Sequence, residues 1–121
     1  ALDTYPYHGT TTTCEALWMG VPVITLAGPT HTSRVGVSLL SQIGAPEFVA
    51  ETPDEFVAIA QRLAADIPAI EQLRHDLRVK MLGSPLFDYA TLARNFEAAF
   101  RAMWHHWLGL DEDPVVDDVT A

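Results

Sequence analysis

Cysteine and positive charge are both scarce in this sequence. One cysteine, Cys14, among 121 residues leaves no internal disulfide and fits a reducing, cytoplasmic compartment. Seven Lys and Arg stand against sixteen Asp and Glu, a formal net charge of −9. Binding to nucleic acid draws on clustered positive charge, so a general nucleic-acid binder is excluded. No apolar run approaches the roughly 18 residues that span a bilayer, so no membrane span is expected. No secretory signal pattern opens the chain, no internal repeat is visible, and no His, Cys and carboxylate cluster has metal-ligand spacing. Neither a metal nor a cofactor is expected. What is present is an ordinary globular composition, 49% hydrophobic and 19% charged, in a length that allows one domain. Five of the acids (Asp111, Glu112, Asp113, Asp117 and Asp118) crowd the C-terminus, so residues 109–121 read as an acidic, disordered tail. The opening Ala1-Leu2-Asp3-Thr4-Tyr5 carries no methionine and reads as the end of a strand in a piece of a longer protein.

The remaining pattern alternates strand and helix. After the 2–5 strand end and a loop through Pro6-Tyr7-His8-Gly9, a helix opens in the threonine run. Thr12 with Glu15 three residues later has the spacing of a capping box, and Gly20 stops the helix. Pro22-Val23-Ile24-Thr25-Leu26 reads as a short buried strand. Strand, helix and strand so close together predict a βαβ unit with parallel strands. A helix is expected from about Ser33 to Ile43, and a third strand at 47–50. Thr52-Pro53-Asp54-Glu55 is a strong helix start, with Phe56, Ile59, Leu63 and Ile67 at helical spacing. Ile70, Leu73, Leu77 and Met81 mark a further helix, and residues 89–108 a last one. That last helix carries an apolar stripe of Leu92, Phe96, Phe100, Met103, Trp104 and Trp107, expected to pack against a domain outside this sequence. The whole reads as half of a nucleotide-binding α/β domain.

The chemistry is expected where the first strand ends and the first helix begins, the place where open α/β sheets bind ligands. A helix N-terminus offers unpaired N–H groups and about half a positive charge, which together stabilise a phosphate. Gly9 permits close approach, and the hydroxyls of Thr10, Thr11 and Thr12 can turn toward phosphate oxygens. This loop contains no Lys or Arg, so the charge of a diphosphate calls for a cation from elsewhere. Glu15, one turn into the helix on the face of Thr11 and Thr12, is placed to accept ribose hydroxyls; the alternative is that it only closes the capping box.

The string from Asp3 to Val23, containing Gly9-Thr10-Thr11-Thr12-Thr13-Cys14-Glu15-Ala16-Leu17-Trp18-Met19-Gly20-Val21-Pro22-Val23, resembles the C-terminal catalytic lobe of the protein O-GlcNAc transferase and SPINDLY family. The resemblance continues through Ala27-Gly28, His31, Arg34-Val35-Gly36, Ser38-Leu39-Leu40 and Gly44. It returns at Gly83-Ser84-Pro85-Leu86-Phe87 and near Met103-Trp104, and so covers about residues 1–108. It implies an α/β fold: the C-terminal half of a Rossmann-like lobe of a two-lobed (GT-B) glycosyltransferase, with a helical C-terminal segment. The implied activity is inverting, metal-independent transfer of a sugar from a nucleotide donor to Ser or Thr of a protein. Tetratricopeptide repeats and the N-terminal catalytic lobe would precede this segment, and the catalytic residues and the lysine that neutralises the diphosphate would lie upstream of Ala1. Thr11 and Thr12 match the pair on the donor diphosphate, and Glu15 the acid on the ribose. Thr10 stands where O-GlcNAc transferases usually have histidine and Glu15 where they have aspartate. Both, with Thr13-Cys14, follow SPINDLY, whose plant members use GDP-fucose. Arg34 matches the transferases instead. UDP-GlcNAc is the first expected donor and GDP-fucose the alternative. A non-catalytic repeat scaffold with a decayed lobe, and a nucleotide-sugar epimerase, are further readings.

Other residues have simpler explanations. His8 and His31 flank the expected pocket on loops, as pocket-rim groups that donate a hydrogen bond or move a proton, or as solvated turn residues; Arg34 completes that rim. His105 and His106, adjacent on a helix, point about 100° apart and cannot clamp one ion. Cys14, in a helix's first turn, is expected to have a lowered pKa but no catalytic partner.

Overall fold

The structure is a computed structural model that describes residues 1–110. The expected acidic tail lies, from Asp111 on, outside the described residues. The chain divides into two units, Ala1–Phe87 and the residues from Asp88 on.

In the first unit the expected alternation appears with shorter elements. Helix α1 (Thr11–Trp18) leads to strand β1 (Thr25–Leu26), then α2 (Val35–Gln42), β2 (Val49–Ala50), α3 (Pro53–Ala65) and α4 (Ile67–Leu82). β1 and β2 are parallel, with Thr25 opposite Val49 and Leu26 opposite Ala50. Leu2 pairs in parallel with Ile24 through a single bridge, held by Asp3 N donating to Ile24 O at 2.9 Å and Ile24 N donating to Ala1 O at 3.0 Å. The βαβ crossover around α1 is therefore present, although regular pairing in the 22–26 segment is confined to its end. The expected third strand loses its first half to a 3-10 turn, Pro46–Phe48.

Two helix boundaries also differ from the sequence reading, each for a local reason. Ser33 does not start a helix: it closes a 3-10 turn (His31–Ser33) whose cap Thr30 and Ser33 bond each other reciprocally, and α2 begins two residues later. Ile67, expected on the stripe of α3, belongs to α4. Asp66 ends α3 and caps α4 by accepting the Ala69 amide at 3.0 Å, and Pro68 sits in the first turn where its missing N–H costs nothing. The start of α3 follows the sequence closely. Thr52 Oγ1 accepts Glu55 N at 3.2 Å, and Glu55 Oε2 accepts Glu51 N at 2.8 Å.

The core of this unit is built from Leu17, Val23, Ile24, Leu40, Ile43, Phe48, Ala50, Ile59, Leu77 and Met81. Burying each large aliphatic side chain contributes about 1.5–3 kcal/mol. α1 lies against α4, and its C-terminal end is pinned there. Trp18 stacks on Phe87 with ring centroids 5.6 Å apart, while the Arg78 guanidinium sits 4.9 Å from the Trp18 ring centroid and donates Nε–H to Trp18 O at 2.9 Å. The chain leaves α1 through Gly20 at φ 75°. A Cβ there would stand 2.3 Å from Arg74 O, so only glycine lets the turn meet α4. This packing fixes the far end of α1 and thereby aims its N-terminus.

The second unit is helix α5 (Tyr89–Trp107), capped by Asp88 Oδ1 accepting Thr91 N at 3.0 Å. It ends in a Schellman motif: Leu110 N donates to His105 O at 2.9 Å and Gly109 N to His106 O at 3.0 Å, with Gly109 at φ 66°. The predicted stripe forms, with Phe96 and Phe100 rings 6.1 Å apart, and its side chains are exposed. No described helix is long and apolar enough to cross a membrane.

Candidate functional site

The N-terminus of α1 is open. The helix starts at Thr11 with Thr10 as its N-cap, and the Thr10 side chain makes no capping bond. The Thr12–Glu15 capping box is therefore absent. Thr13 and Leu17, four residues apart, are both buried and set the inward face of the helix. Thr13 Oγ1 donates to Gly9 O at 3.0 Å, so the helical turn begins before Thr12 can act as a cap. Thr10, Thr11, Thr12 and Glu15 are exposed. First-turn amides have no partner within the helix, and here no side chain caps them.

Gly9 is held from both sides. Its N–H donates to Asp3 Oδ1 at 2.9 Å, and its carbonyl receives Thr13. A Cβ on Gly9 would lie 2.5 Å from Thr12 Oγ1 and 2.9 Å from Thr13 Oγ1, so the close approach of the loop to the threonines requires glycine.

His8 overturns both expectations for it. It is neither a rim residue nor a solvated turn residue but 1% exposed. Its Nε2 lies 3.0 Å from Leu26 O, its Nδ1 is 3.1 Å from Thr25 Oγ1, and Gly36 N donates to Nδ1 at 3.1 Å. Thr25 Oγ1 donates to Asp3 Oδ2 at 2.9 Å, and that oxygen is 3.5 Å from His8 Nδ1. The sequence reading missed Asp3, Thr25 and Gly36; nothing in their local spacing announces that they meet.

His31 and Arg34 are exposed on the 28–34 loop. That loop folds on itself, with Gly28 N donating to Ser33 O at 2.9 Å and Arg34 Nη1 to Gly28 O at 3.3 Å. It is tied to the α1 loop by His8 N donating to Thr32 O at 2.9 Å. Cys14 also departs from expectation: burial pushes its thiol pKa up, and the neighbouring Glu15 charge adds to the rise. His105 and His106 are exposed, and among the described residues no group of three or more His, Cys, Asp or Glu is placed to hold a metal. A separate pocket of 370 Å³ is lined by apolar residues alone, among them Leu2, Pro22, Ile24, Leu63 and Ile70, and offers a nucleotide no polar side chain.

Comparison with known proteins agrees with this architecture. The sequence profile described as Glycosyl transferase family 41 matches residues 1–96. The probable UDP-N-acetylglucosamine–peptide N-acetylglucosaminyltransferase SPINDLY of Hordeum vulgare is 51% identical over 107 residues, which are 88% of this chain and 11% of that protein. The UDP-N-acetylglucosamine–peptide N-acetylglucosaminyltransferase of Caenorhabditis elegans is 35% identical over 106 residues, 88% of this chain and 9% of that one. The solved structure of a point variant of Thermobaculum terrenum O-GlcNAc transferase superposes with a TM-score of 0.79 at 42% identity, covering 88% of this chain and 20% of that one. The chain thus spans about a tenth of the length of these curated relatives. With a profile match over most of its length and a solved α/β relative of the same kind, the chain belongs to glycosyl transferase family 41.

Proposed function

We propose that residues 1–108 are part of the nucleotide-sugar-binding lobe, the C-terminal Rossmann-like lobe, of a two-lobed protein O-glycosyltransferase. The reaction is inverting transfer, without metal or cofactor, of GlcNAc from UDP-GlcNAc to Ser or Thr of a protein acceptor. The donor diphosphate rests on Gly9, Thr10, Thr11 and Thr12, and Glu15 accepts the ribose hydroxyls. His31 and Arg34 stand at the rim. The catalytic base and the remaining lobe lie outside these 121 residues, as do tetratricopeptide repeats.

The observation that carries this reading is the uncapped, exposed mouth of α1. Its amides and the positive end of the helix favour an anion, and the threonine hydroxyls add donors that turn freely. Charge develops on the nucleoside diphosphate as the glycosidic bond breaks. Fixed donors aimed at that charge stabilise the transition state more than the ground state. Glu15 is exposed, unused as a cap, and one turn further along the face of Thr11 and Thr12. The names of the barley and worm relatives support UDP-GlcNAc. Thr10 and Glu15, the two positions that follow the SPINDLY pattern, keep GDP-fucose as the second reading.

The test is Thr11→Ala and Thr12→Ala in the full-length parent, titrated calorimetrically with UDP and GDP. Removing a hydrogen bond to a charged group costs about 1.5–3 kcal/mol, so each variant should bind the preferred nucleotide at least about tenfold more weakly. Unchanged affinity for both nucleotides would refute the site, and the preferred nucleotide in the unmodified parent decides between the two donors.

A further inference from the structure

Behind the threonine mouth lies a side chain to which the donor site assigns no role. His8 is 1% exposed, out of reach of a ligand, yet both ring nitrogens and its main-chain amide are bonded. A peptide N–H only donates, so the Gly36 amide at 3.1 Å makes Nδ1 an acceptor. The ring proton therefore sits on Nε2, which donates to Leu26 O at 3.0 Å. Asp3 completes the arrangement: Oδ1 accepts Gly9 N at 2.9 Å and Thr4 N at 3.0 Å, while Oδ2 accepts Thr25 Oγ1 at 2.9 Å.

The connections run between two loops. From Gly9, at the mouth of α1, they pass through Asp3 to Thr25, whose one hydroxyl proton goes to Asp3 and whose oxygen packs 3.1 Å from His8 Nδ1. From His8 they pass to Thr32 on the 28–34 loop and to Gly36 in the first turn of α2. There is no slack in this arrangement. A Cβ on Gly36 would lie 2.4 Å from Thr25 Oγ1 and 2.5 Å from Asp3 Oδ2, so α2 is pressed directly against the network. No buried side-chain nitrogen or oxygen among the described residues lacks a partner, and a fully satisfied buried network holds one geometry.

We infer that His8 and Asp3 are positioning residues for the nucleotide-sugar donor, fixing the α1 mouth relative to the 28–34 loop and so setting donor affinity without touching the donor. The inference rests on the assignment of the α1 mouth to the donor diphosphate. Amides stabilise an anion only when aimed at it, and a displacement of about 1 Å in such a site costs up to about 10²-fold. A purely structural network would instead lower stability and leave affinity alone.

The experiment uses the full-length parent with UDP and GDP as calorimetric probes, and donor kinetics with the sugar nucleotide of the preferred base. His8→Ala should weaken nucleotide binding about tenfold or more and raise KM for the donor in step, with kcat falling as well because the misaimed donors also meet the charge that develops in the transition state. His8→Asn should recover most of the loss, because its amide oxygen can accept the Gly36 N–H. Ile59→Ala, a core truncation in α3, should lower thermal stability while leaving KM unchanged. Parental affinity in His8→Ala alongside weakened binding in Thr12→Ala would overturn the inference and leave the site standing. A KM rise in Ile59→Ala equal to that in His8→Ala would also overturn it, by showing general loosening. Unchanged binding in Thr12→Ala would remove the donor site itself and this inference with it. Should His8→Ala not fold, His8→Asn and Asp3→Asn decide: a raised KM in Asp3→Asn that His8→Asn shows less strongly supports the inference, and parental KM in both overturns it.

Discussion

Replacing Gly9 with alanine separates the two jobs of the α1 loop. The new Cβ would stand 2.5 Å from Thr12 Oγ1 and 2.9 Å from Thr13 Oγ1, and the two neighbours answer differently. Thr12 is exposed and its hydroxyl can turn away. Thr13 is 3% exposed and tied to the Gly9 carbonyl at 3.0 Å, so it must shift by a few tenths of an ångström or lose that bond. Crowding of this kind costs about 1–3 kcal/mol of stability. The turned Thr12 hydroxyl is also withdrawn from the diphosphate, a loss of about 1.5–3 kcal/mol, or about 10- to 150-fold in affinity. Gly44→Ala supplies the control. Gly44 has φ +66° with nothing within 4 Å of an added Cβ, so alanine there costs about 1–2 kcal/mol in backbone strain alone. Thermal unfolding and calorimetry with UDP and GDP on the full-length parent should show both variants less stable and only Gly9→Ala binding weakly. If the two variants lose similar stability and both keep parental affinity, the loop is a turn and the donor reading is wrong.

Two titrations supply further checks. Burial raises the Cys14 thiol, helped by Glu15, so the folded chain keeps this proton longer than the unfolded one. The stability it contributes is complete below the unfolded value of 9.0 and is lost as pH rises through the higher folded value. Iodoacetamide at pH 8 should therefore alkylate Cys14 more slowly than an unstructured thiol, and an equal or faster rate by mass spectrometry would contradict this. The hydrogen bonds from Thr91 hold the Asp88 carboxyl below its ordinary value of 3.8. Its contribution to the α5 cap is present above that value and is lost as pH falls through the lower folded one. Exchange protection of the Thr91 amide should drop across that acid window in the parent and stay level in Asp88→Asn.

Where a structural feature depends on neighbours in sequence, the sequence displayed it. Thr52, Pro53 and Glu55 announce α3, and the observed cap uses Thr52 and Glu55. The stripe of α5 and its stop at Gly109 are likewise local. Errors began where two local signals compete. Ile67 fits the helical spacing of α3 as well as it opens α4, and the Asp66 cap with Pro68 behind it decides for the break. In the threonine run, four similar residues offer several cap frames, and only the burial of Thr13 with Leu17 selects one.

The candidate site divides along the same line, for a physical reason. Gly9, Thr10, Thr11, Thr12 and Glu15 are contiguous, and a helix start exposes them together, so the outer layer of the site could be read directly. The layer behind it is assembled from Asp3, His8, Thr25 and Gly36, with sequence separations of 22 between Thr25 and Asp3 and 28 between Gly36 and His8. No periodicity spans such distances. A histidine between Tyr7 and Gly9 looks solvated because its immediate neighbours are loop residues, whereas its burial follows from α2 folding back over it. Aiming a helix N-terminus at an anion requires fixing the loop before it, and here Asp3 does so from the preceding segment while Thr25, Thr32 and Gly36 brace it from elsewhere in the fold. The outer residues of such a site are therefore local in sequence, as are Asp3 and His8 beside them, whereas the partners that hold Asp3 and His8 in place, Thr25, Thr32 and Gly36, are not.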